Sequence, residues 1–391
     1  MKILWVNSSF LDYRIPVYKR LNELSGGNFY IVYSRNMVPE RIPLKISKAI
    51  GENAIAIDGE HQICIGKSDT LANKNLRLPR PRGLYKVIKK IKPDIIIGEG
   101  FFQWTPFALK YSILHRIPLL IGYERTHWTE RNCPKWRSFY RKMINKFTDG
   151  YLCNGSLTKE YLIDQIGVKE HKIFTGTMSA DSAGLKKAIL NLSNEEIVLL
   201  KNKFNINSKG IIYIYTGYLI ERKGVSYLLE AWIEHIKSYP EDSLLLVGGG
   251  ELYNQYKEKY KQYKSIIFFG TINYDEIYKY YAVADVFIIP TLEDNWSLVV
   301  PEAMSCGLPI ACSIYNGCYP ELCVDNVNGF TFDPLIKNSI IEVLSKFHNV
   351  DIKFFGEQSI LIENKFDYVH ASDNIYNACI RIYNNYYKNE K

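Results

Sequence analysis

Residues 285–313 read DVFIIPTLEDNWSLVVPEAMSCGLPIACS. DVFIIPT is a continuous apolar strand, an acidic loop follows, and a helix is predicted to start near Ser297, ahead of a second apolar strand, LPIACS. Pro301 falls in the first helical turn, where its missing N–H costs little. Strand, loop, helix and strand in this order form the repeating unit of a parallel α/β sheet. The helix N-terminus turns N–H groups toward whatever lies past the strand end, which suits a phosphate. Asp294 in the loop and Glu302 in the helix are poor phosphate ligands but good acceptors for sugar hydroxyls. The layout suggests a nucleotide sugar, with amides on the diphosphate and carboxylates on the ribose and donor sugar.

The same alternation extends both ways. Upstream, GIIYIYTG (210–217), DSLLLVGGG (242–250) and SIIFFGT (265–271) read as strands separated by helical segments, and GFTFD closes the series before mostly helical sequence from 338 onward. In the first half, KILWVN (2–7), FYIVYS (29–34), DIIIGEG (94–100), IPLLIGYE (117–124) and GYLCNG (150–155) are strands. Residues 36–76 read as irregular or short-stranded. The stretch 178–208 has polar, helical character without a clear strand and reads as the connection. The expectation is two doubly wound α/β domains, 1–190 and 191–370, with a terminal helix over 371–391 packing back on the first domain. Ligands of such sheets bind outside the carboxyl ends of the strands, so the cleft between the domains is the expected site.

At 391 residues and 47% apolar, the chain has material for two cores and is not mainly disordered. No apolar run approaches the roughly 20 residues of a membrane span. The start, MKILWVNSSF, has too short an apolar stretch for a signal peptide and reads as a strand of a cytosolic protein. The eight cysteines include no CxxC and read as free thiols; no metal site is expected. Charge is uneven: residues 1–190 carry 31 Lys and Arg against 16 Asp and Glu, a net +15, while 191–391 carry 18 against 25, a net −7. An anionic partner of the first half is expected. Its basic residues concentrate in RLPRPRGLYKVIKKIKP (77–93) and RNCPKWRSFYRKMINKF (131–147). In the second, Trp136, Phe139, Tyr140, Met143 and Phe147 share a helical stripe, which fits a core helix with a solvated basic back or a helix at a membrane surface. No nucleic-acid motif accompanies the charge, and no nucleic-acid partner is expected.

The stretch 285–313 resembles the signature of retaining glycosyltransferase family four, of GT-B fold. GYLIERKGVSYLLEA (217–231) resembles the family's phosphate-binding strand–loop–helix, LLLVGGGELYNQY its next strand and turn, and IIFFGTINYDEIYKYYAVADVFIIP (266–290) its base-pocket segment. NGCYPELCVDNVNGFTFDP (316–334) is similar to the segment that closes it. DYRIPVYKRL, after the first strand, carries the resemblance into the first half. The resemblance implies a metal-independent hexosyltransferase without cofactor, using a nucleotide sugar, UDP-linked ahead of GDP-linked. The acceptor would be lipid-linked, membrane-embedded or a glycan, in surface polysaccharide or glycolipid synthesis at the cytoplasmic membrane face. It assigns Glu302 to the ribose, Asp294 to the donor sugar and Lys223 to the leaving diphosphate, with the amides of Trp296, Ser297 and Leu298 sharing that load. Gly217, Tyr218, Arg222, Gly270 and Thr271 complete the donor set.

Three positions depart from the family pattern. The first carboxylate is Asp294 where Glu is usual, and the adjacent Glu293 leaves the register open. Ser297 replaces a glycine. Tyr218 stands where the family has Arg, with Arg222 as a substitute cation. Gly248, Gly249 and Gly250 read as a tight turn, since no helix start with dinucleotide-binding spacing follows. On the acceptor side, Tyr13 and Arg14 follow the first strand, and Glu124 and His127 follow the fourth. His127 could orient or deprotonate an acceptor, or be an ordinary loop residue. A nucleotide-sugar epimerase of the same fold and a non-catalytic binding subunit are the competing readings. The basic, aromatic first half disfavours the former, and only Tyr218 favours the latter.

Overall fold

The computed structural model describes residues 1–58, 60–65, 76–180, 182–207 and 209–388. The chain divides into two compact units, Met1–Ser179 with Phe366–Lys391, and Ala180–Lys365.

The first unit carries strands β1 (Ile3–Val6), β2 (Phe29–Ser34), β3 (Ala54–Ile57), the pair β4 (His61–Ile65) and β5 (Leu76–Arg80), then β6 (Ile95–Glu99), β7 (Leu119–Tyr123), β8 (Gly150–Cys153) and β9 (Ile173–Phe174). Seven form a parallel sheet in the order β3-β2-β1-β6-β7-β8-β9, while β4 and β5 pair antiparallel. The apolar runs are buried on both faces, as parallel strands covered by helices require. Leu4 and Val6 join one core cluster, and Ile3 and Trp5 the other. The final helix, Tyr368–Lys388, belongs to this unit and adds Ile375, Ala378, Cys379 and Ile382 to the second cluster.

The second unit carries β10 (Ile212–Thr216), β11 (Ser243–Val247), β12 (Ile266–Gly270), β13 (Val286–Ile289), β14 (Ile310–Ser313) and β15 (Gly329–Phe332), parallel in the order β12-β11-β10-β13-β14-β15. The helix Ala183–Leu190, expected in the first domain, is part of this unit. At its start, Ser182 Oγ donates to Glu363 Oε1 at 2.5 Å.

One expectation is corrected and one alternative is removed. Within 36–76, read as irregular or short-stranded, β3 and β4 are the short strands, but Arg41–Ile50 is a helix burying Ile42, Ile46 and Ile50 at i, i+4, i+8 spacing. Pro43 masked it, but lies in the first turn, where no N–H is needed. Residues 66–75 of that stretch lie outside the described residues. The helix Lys135–Asn145 is also the reverse of a core helix with a basic back: it buries Arg137, Arg141 and Ile144 and exposes Trp136, Phe139 and Met143, with Phe147 just beyond its end also exposed. Arg141 can be buried because its guanidinium donates to Glu130 Oε2 and to the Tyr161 hydroxyl, each at 2.7 Å. A buried cation needs such partners.

Among the described residues no helix is long and apolar enough to cross a membrane. The described cysteines Cys133, Cys153, Cys306, Cys312, Cys318, Cys323 and Cys379 are free thiols.

Candidate active site

In the second unit the chain builds outward from β10 through β11 to β12, then crosses back to β13 on β10's other side. The loops leaving β10 and β13 therefore diverge at a switch point, the standard place for a ligand in such sheets. The first carries Tyr218, Arg222 and Lys223; the second carries Glu293, Asp294, Trp296 and Ser297 and leads into the helix Val299–Ser305 with Glu302. Gly224 is in the left-handed region at φ +66°, and a Cβ there would lie 2.1 Å from the Pro290 carbonyl, so glycine lets the two loops touch. Leu292 N–H donates to the Arg222 carbonyl at 2.8 Å and closes the contact.

Lys223 Nζ donates to Asp294 Oδ2, and an Arg222 Nη1 stands 3.9 Å from the same oxygen. Burial works to raise the Asp294 pKa, but Lys223, a contact with Ser297 and Arg222 outweigh it, and the carboxyl is held below its usual range. Asp294 faces the cations, whereas Glu293 is buried and its backbone carbonyl accepts an Arg222 N–H at 3.3 Å. Tyr218 is 69% exposed, and its carbonyl accepts the Tyr215 hydroxyl at 2.9 Å.

Glu302 receives the Tyr274 hydroxyl on Oε1 at 3.1 Å and the Tyr281 hydroxyl on Oε2 at 3.4 Å, and Tyr281 in turn contacts Thr216 Oγ1 at 2.9 Å. Neither tyrosine was a candidate, although both lie in the segment likened to the base pocket. Nor was Asn316, which is fully buried and accepts Ser297 N–H at 3.3 Å and the Cys318 thiol at 3.2 Å. Trp296 N–H turns to Asp294 Oδ1, also at 3.3 Å. Two of the three amides expected to face a diphosphate thus point at side chains, Trp296 at Asp294 of its own loop and Ser297 at Asn316, because the bridge between Asp294 and Asn316 ties this loop to the segment after β14; Leu298 starts the helix as its cap.

Gly217, Gly248 and Gly270 are joined through the backbone: Gly248 N–H donates to the Gly270 carbonyl at 2.8 Å, and a Cβ on Gly248 would meet the Gly217 carbonyl at 1.9 Å. Thr271 crowds Gly249, where a Cβ would lie 2.4 Å from its hydroxyl. The glycine triplet is a close-packed turn.

In the first unit β1 and β6 flank the corresponding switch point. Arg14 is buried, lies 5.5 Å from the Trp5 ring and 5.7 Å from the Tyr13 ring, and stands 3.9 Å from Glu99 Oε1. Glu99 Oε2 accepts Trp5 Nε1–H at 3.0 Å. Burial, with Glu124 nearby, raises the Glu99 carboxyl against the pull of Arg14; burial likewise raises the Tyr13 hydroxyl. Tyr13, Arg14, Glu99 and Glu124 are thus one electrostatic group. His127 is not part of it: its Nε2 lies 3.2 Å from Asp164 Oδ2, and its ring meets Tyr161 edge-on. It lines a cavity of about 580 Å³ with Arg131, Lys135 and Lys142.

Two doubly wound α/β units, the second with a cation–carboxylate cluster at its switch point, are the architecture of the GT-B fold. The chain belongs to the glycosyl transferases of group 1, glycosyltransferase family 4: the group 1 model matches residues 197–353 and the family 4 model residues 59–175. It is 24% identical over 296 residues to alpha-monoglucosyldiacylglycerol synthase of Acholeplasma laidlawii, covering 69% of this chain and 74% of that one. It is 28% identical over 158 residues to the sulfoquinovosyl transferase SQD2 of Arabidopsis thaliana, covering 38% and 31%. Among solved structures, Anabaena HepE in complex with UDP is similar with a TM-score of 0.72 at 16% identity, over 96% of this chain and 98% of that one. A Rickettsia africae glycosyltransferase is similar with a TM-score of 0.71 at 15% identity, over 99% of each chain.

Proposed function

We propose that this glycosyltransferase moves a sugar, with retention of configuration, from a nucleotide diphosphate to a lipid-linked or membrane-embedded acceptor, in glycolipid or surface polysaccharide synthesis. The observation that carries the reading is the convergence of Lys223, Arg222 and Asp294 from the two loops of the switch point. In this reading Lys223 and Arg222 receive the negative charge that builds on the leaving diphosphate. Arg222 replaces the cation that Tyr218 lacks. Glu302, already set by two tyrosine hydroxyls, holds the ribose, and Asp294 meets the donor-sugar hydroxyls once Lys223 turns to phosphate. The chemical step uses no metal and no cofactor. A UDP-sugar is the expected donor, and the similar HepE structures with UDP and UDP-glucose support it.

The relatives support a lipid acceptor, since one is named for a glucosylated diacylglycerol. That name specifies the α anomer, the product retention gives from an α-linked nucleotide sugar. We assign membrane contact to the exposed aromatic face of Lys135–Asn145, where Trp136, Phe139, Met143 and Phe147 are flanked by exposed Lys135, Lys142 and Lys146. Tyr13, Arg14 and Glu124 form the acceptor side.

The experiment is a panel of UDP- and GDP-linked sugars incubated with the protein and with vesicles containing diacylglycerol and anionic lipid, with donor hydrolysis followed alongside. The reading expects a UDP-sugar to be consumed and an α-glycolipid formed. A protein that neither binds nor consumes any nucleotide sugar would be the non-catalytic subunit instead.

A further inference from the structure

We propose that His235, Asp242 and His348, at the end of the second unit's sheet opposite the Lys223 and Asp294 loops, bind one divalent ion of the zinc class. Asp242 directly precedes β11, so the trio sits at the amino ends of the strands. Asp242 Oδ1 accepts the Ile211 N–H at 2.8 Å, which leaves Oδ2 for the imidazoles. His235 Nε2, from the helix Val225–Ser238, and His348 Nε2, from the turn Phe347–Asn349, each lie 2.8 Å from that one oxygen. The three ligand atoms are within 4.8 Å of one another. Tyr239 stacks on both rings, with centroids 4.9 Å from His235 and 3.7 Å from His348, and fixes their planes.

The buried carboxylate calls for a positive charge beside it, from a bound ion or from a protonated imidazole. Asp242 is 2% exposed and His235 1%. A carboxylate so far removed from water needs a positive partner, and among the described residues the ion-pair contacts of Asp242 are the two imidazoles. Two imidazole nitrogens and one carboxylate oxygen are the donor set of zinc, whereas magnesium and calcium prefer oxygen alone. Metal–ligand bonds of about 2.0–2.2 Å place tetrahedral neighbours roughly 3.3 Å apart, so seating the ion asks the rings to retreat by about half an ångström. Asp242 and His348 line a cavity of about 800 Å³, from which water or a small anion could complete the coordination. The ion would clip a helix, a strand and a turn together, away from the reacting groups, and its role would be structural.

The test uses full-length protein stripped with a chelator and then titrated with Co²⁺ or Zn²⁺. One equivalent of Co²⁺ should give visible d–d bands without a thiolate charge-transfer band. A hundredfold excess of Zn²⁺ over its Kd should raise the melting midpoint of this unit by roughly 5–10 °C. His348→Gln keeps an amide N–H for Asp242 but removes a good ligand, and should lose both responses. A missing Co²⁺ spectrum, a thiolate band placing the ion on cysteines, or a Zn²⁺ response equal in a folded His348→Gln protein would overturn the site. Should that variant fail to fold, the wild-type Co²⁺ spectrum alone decides.

Discussion

Lys223 and Asp294 form an ion pair between the loops that leave adjacent strands β10 and β13, where the strand order of the sheet reverses. The pair keeps a cation and a carboxylate poised at one point of the switch region. In the proposed reaction each has a distinct task, Lys223 toward the leaving diphosphate and Asp294 toward the donor sugar.

Lys223→Ala should lower kcat more than it raises the donor KM, because negative charge on the diphosphate grows toward the transition state. Arg222→Ala should have an effect of the same kind, and Tyr218→Arg should restore part of the rate lost in it. Asp294 is held below the usual carboxylate range, so it stays ionised at neutral and mildly acidic pH, and the kcat/KM profile should show no acidic limb from it between pH 5 and 8. A limb in that window that disappears in Asp294→Asn would contradict this electrostatic assignment.

Glu130 anchors the buried Arg141 and contacts Arg125 at 3.2 Å. Burial opposes its ionisation, but the hydrogen bond and charge of Arg141, then Arg125, prevail and depress its folded pKa. A depressed folded value contributes stability that is present above the unfolded value of about 4.3 and is lost as pH falls through the folded one. Glu130→Gln should destabilise the first unit by about 3–5 kcal/mol at pH 7, since it leaves a buried cation without its partner. The difference from wild type should shrink below pH 4. Denaturant melts at several pH values measure it.

Changing Lys135, Lys142 and Lys146 together to Glu should release the protein from anionic vesicles at low salt and leave its melting midpoint unchanged. Each basic residue near such a surface is worth about 1 kcal/mol. Arg141 is the wrong choice for that test, because its loss breaks the core. Co-sedimentation at low and high salt reads the result, and wild-type protein that stays in the supernatant at low salt would rule out membrane docking by this face.

Chelator treatment should leave transfer unchanged. If the His235, Asp242 and His348 site holds an ion, its removal should lower the melting midpoint alone. A rate that falls on chelation and returns on adding a divalent ion would count against metal-free chemistry at Lys223 and Asp294.

The parts of the site visible in the sequence are those whose chemistry is local. Asp294, Pro301 and Glu302 share one strand–loop–helix, and Lys223 sits one residue before a glycine that the fold requires. Tyr274 and Tyr281 were hidden because they reach Glu302 across 28 and 21 residues through the packing of another helix. Asn316 was hidden for the same reason: its partner amide is 19 residues away. The helix Lys135–Asn145 inverts only the core-helix alternative, which treats its charges as solvated, and leaves the membrane-surface alternative open. Glu130 and Tyr161, 11 and 20 residues from Arg141, make its burial tolerable, and no helical periodicity reports them.

The most direct test of the central claim is calorimetric titration of UDP into wild-type protein and into Glu302→Gln. A carboxylate holding two ribose hydroxyls contributes about 1.5–3 kcal/mol for each charge-assisted bond. Wild-type protein should bind UDP, and the folded variant should bind it roughly a hundredfold or more weakly, the equivalent of about 2.7 kcal/mol or more. Equal affinity in the two proteins, or no binding of UDP to either, would contradict the placement of the donor nucleotide at the second unit's switch point.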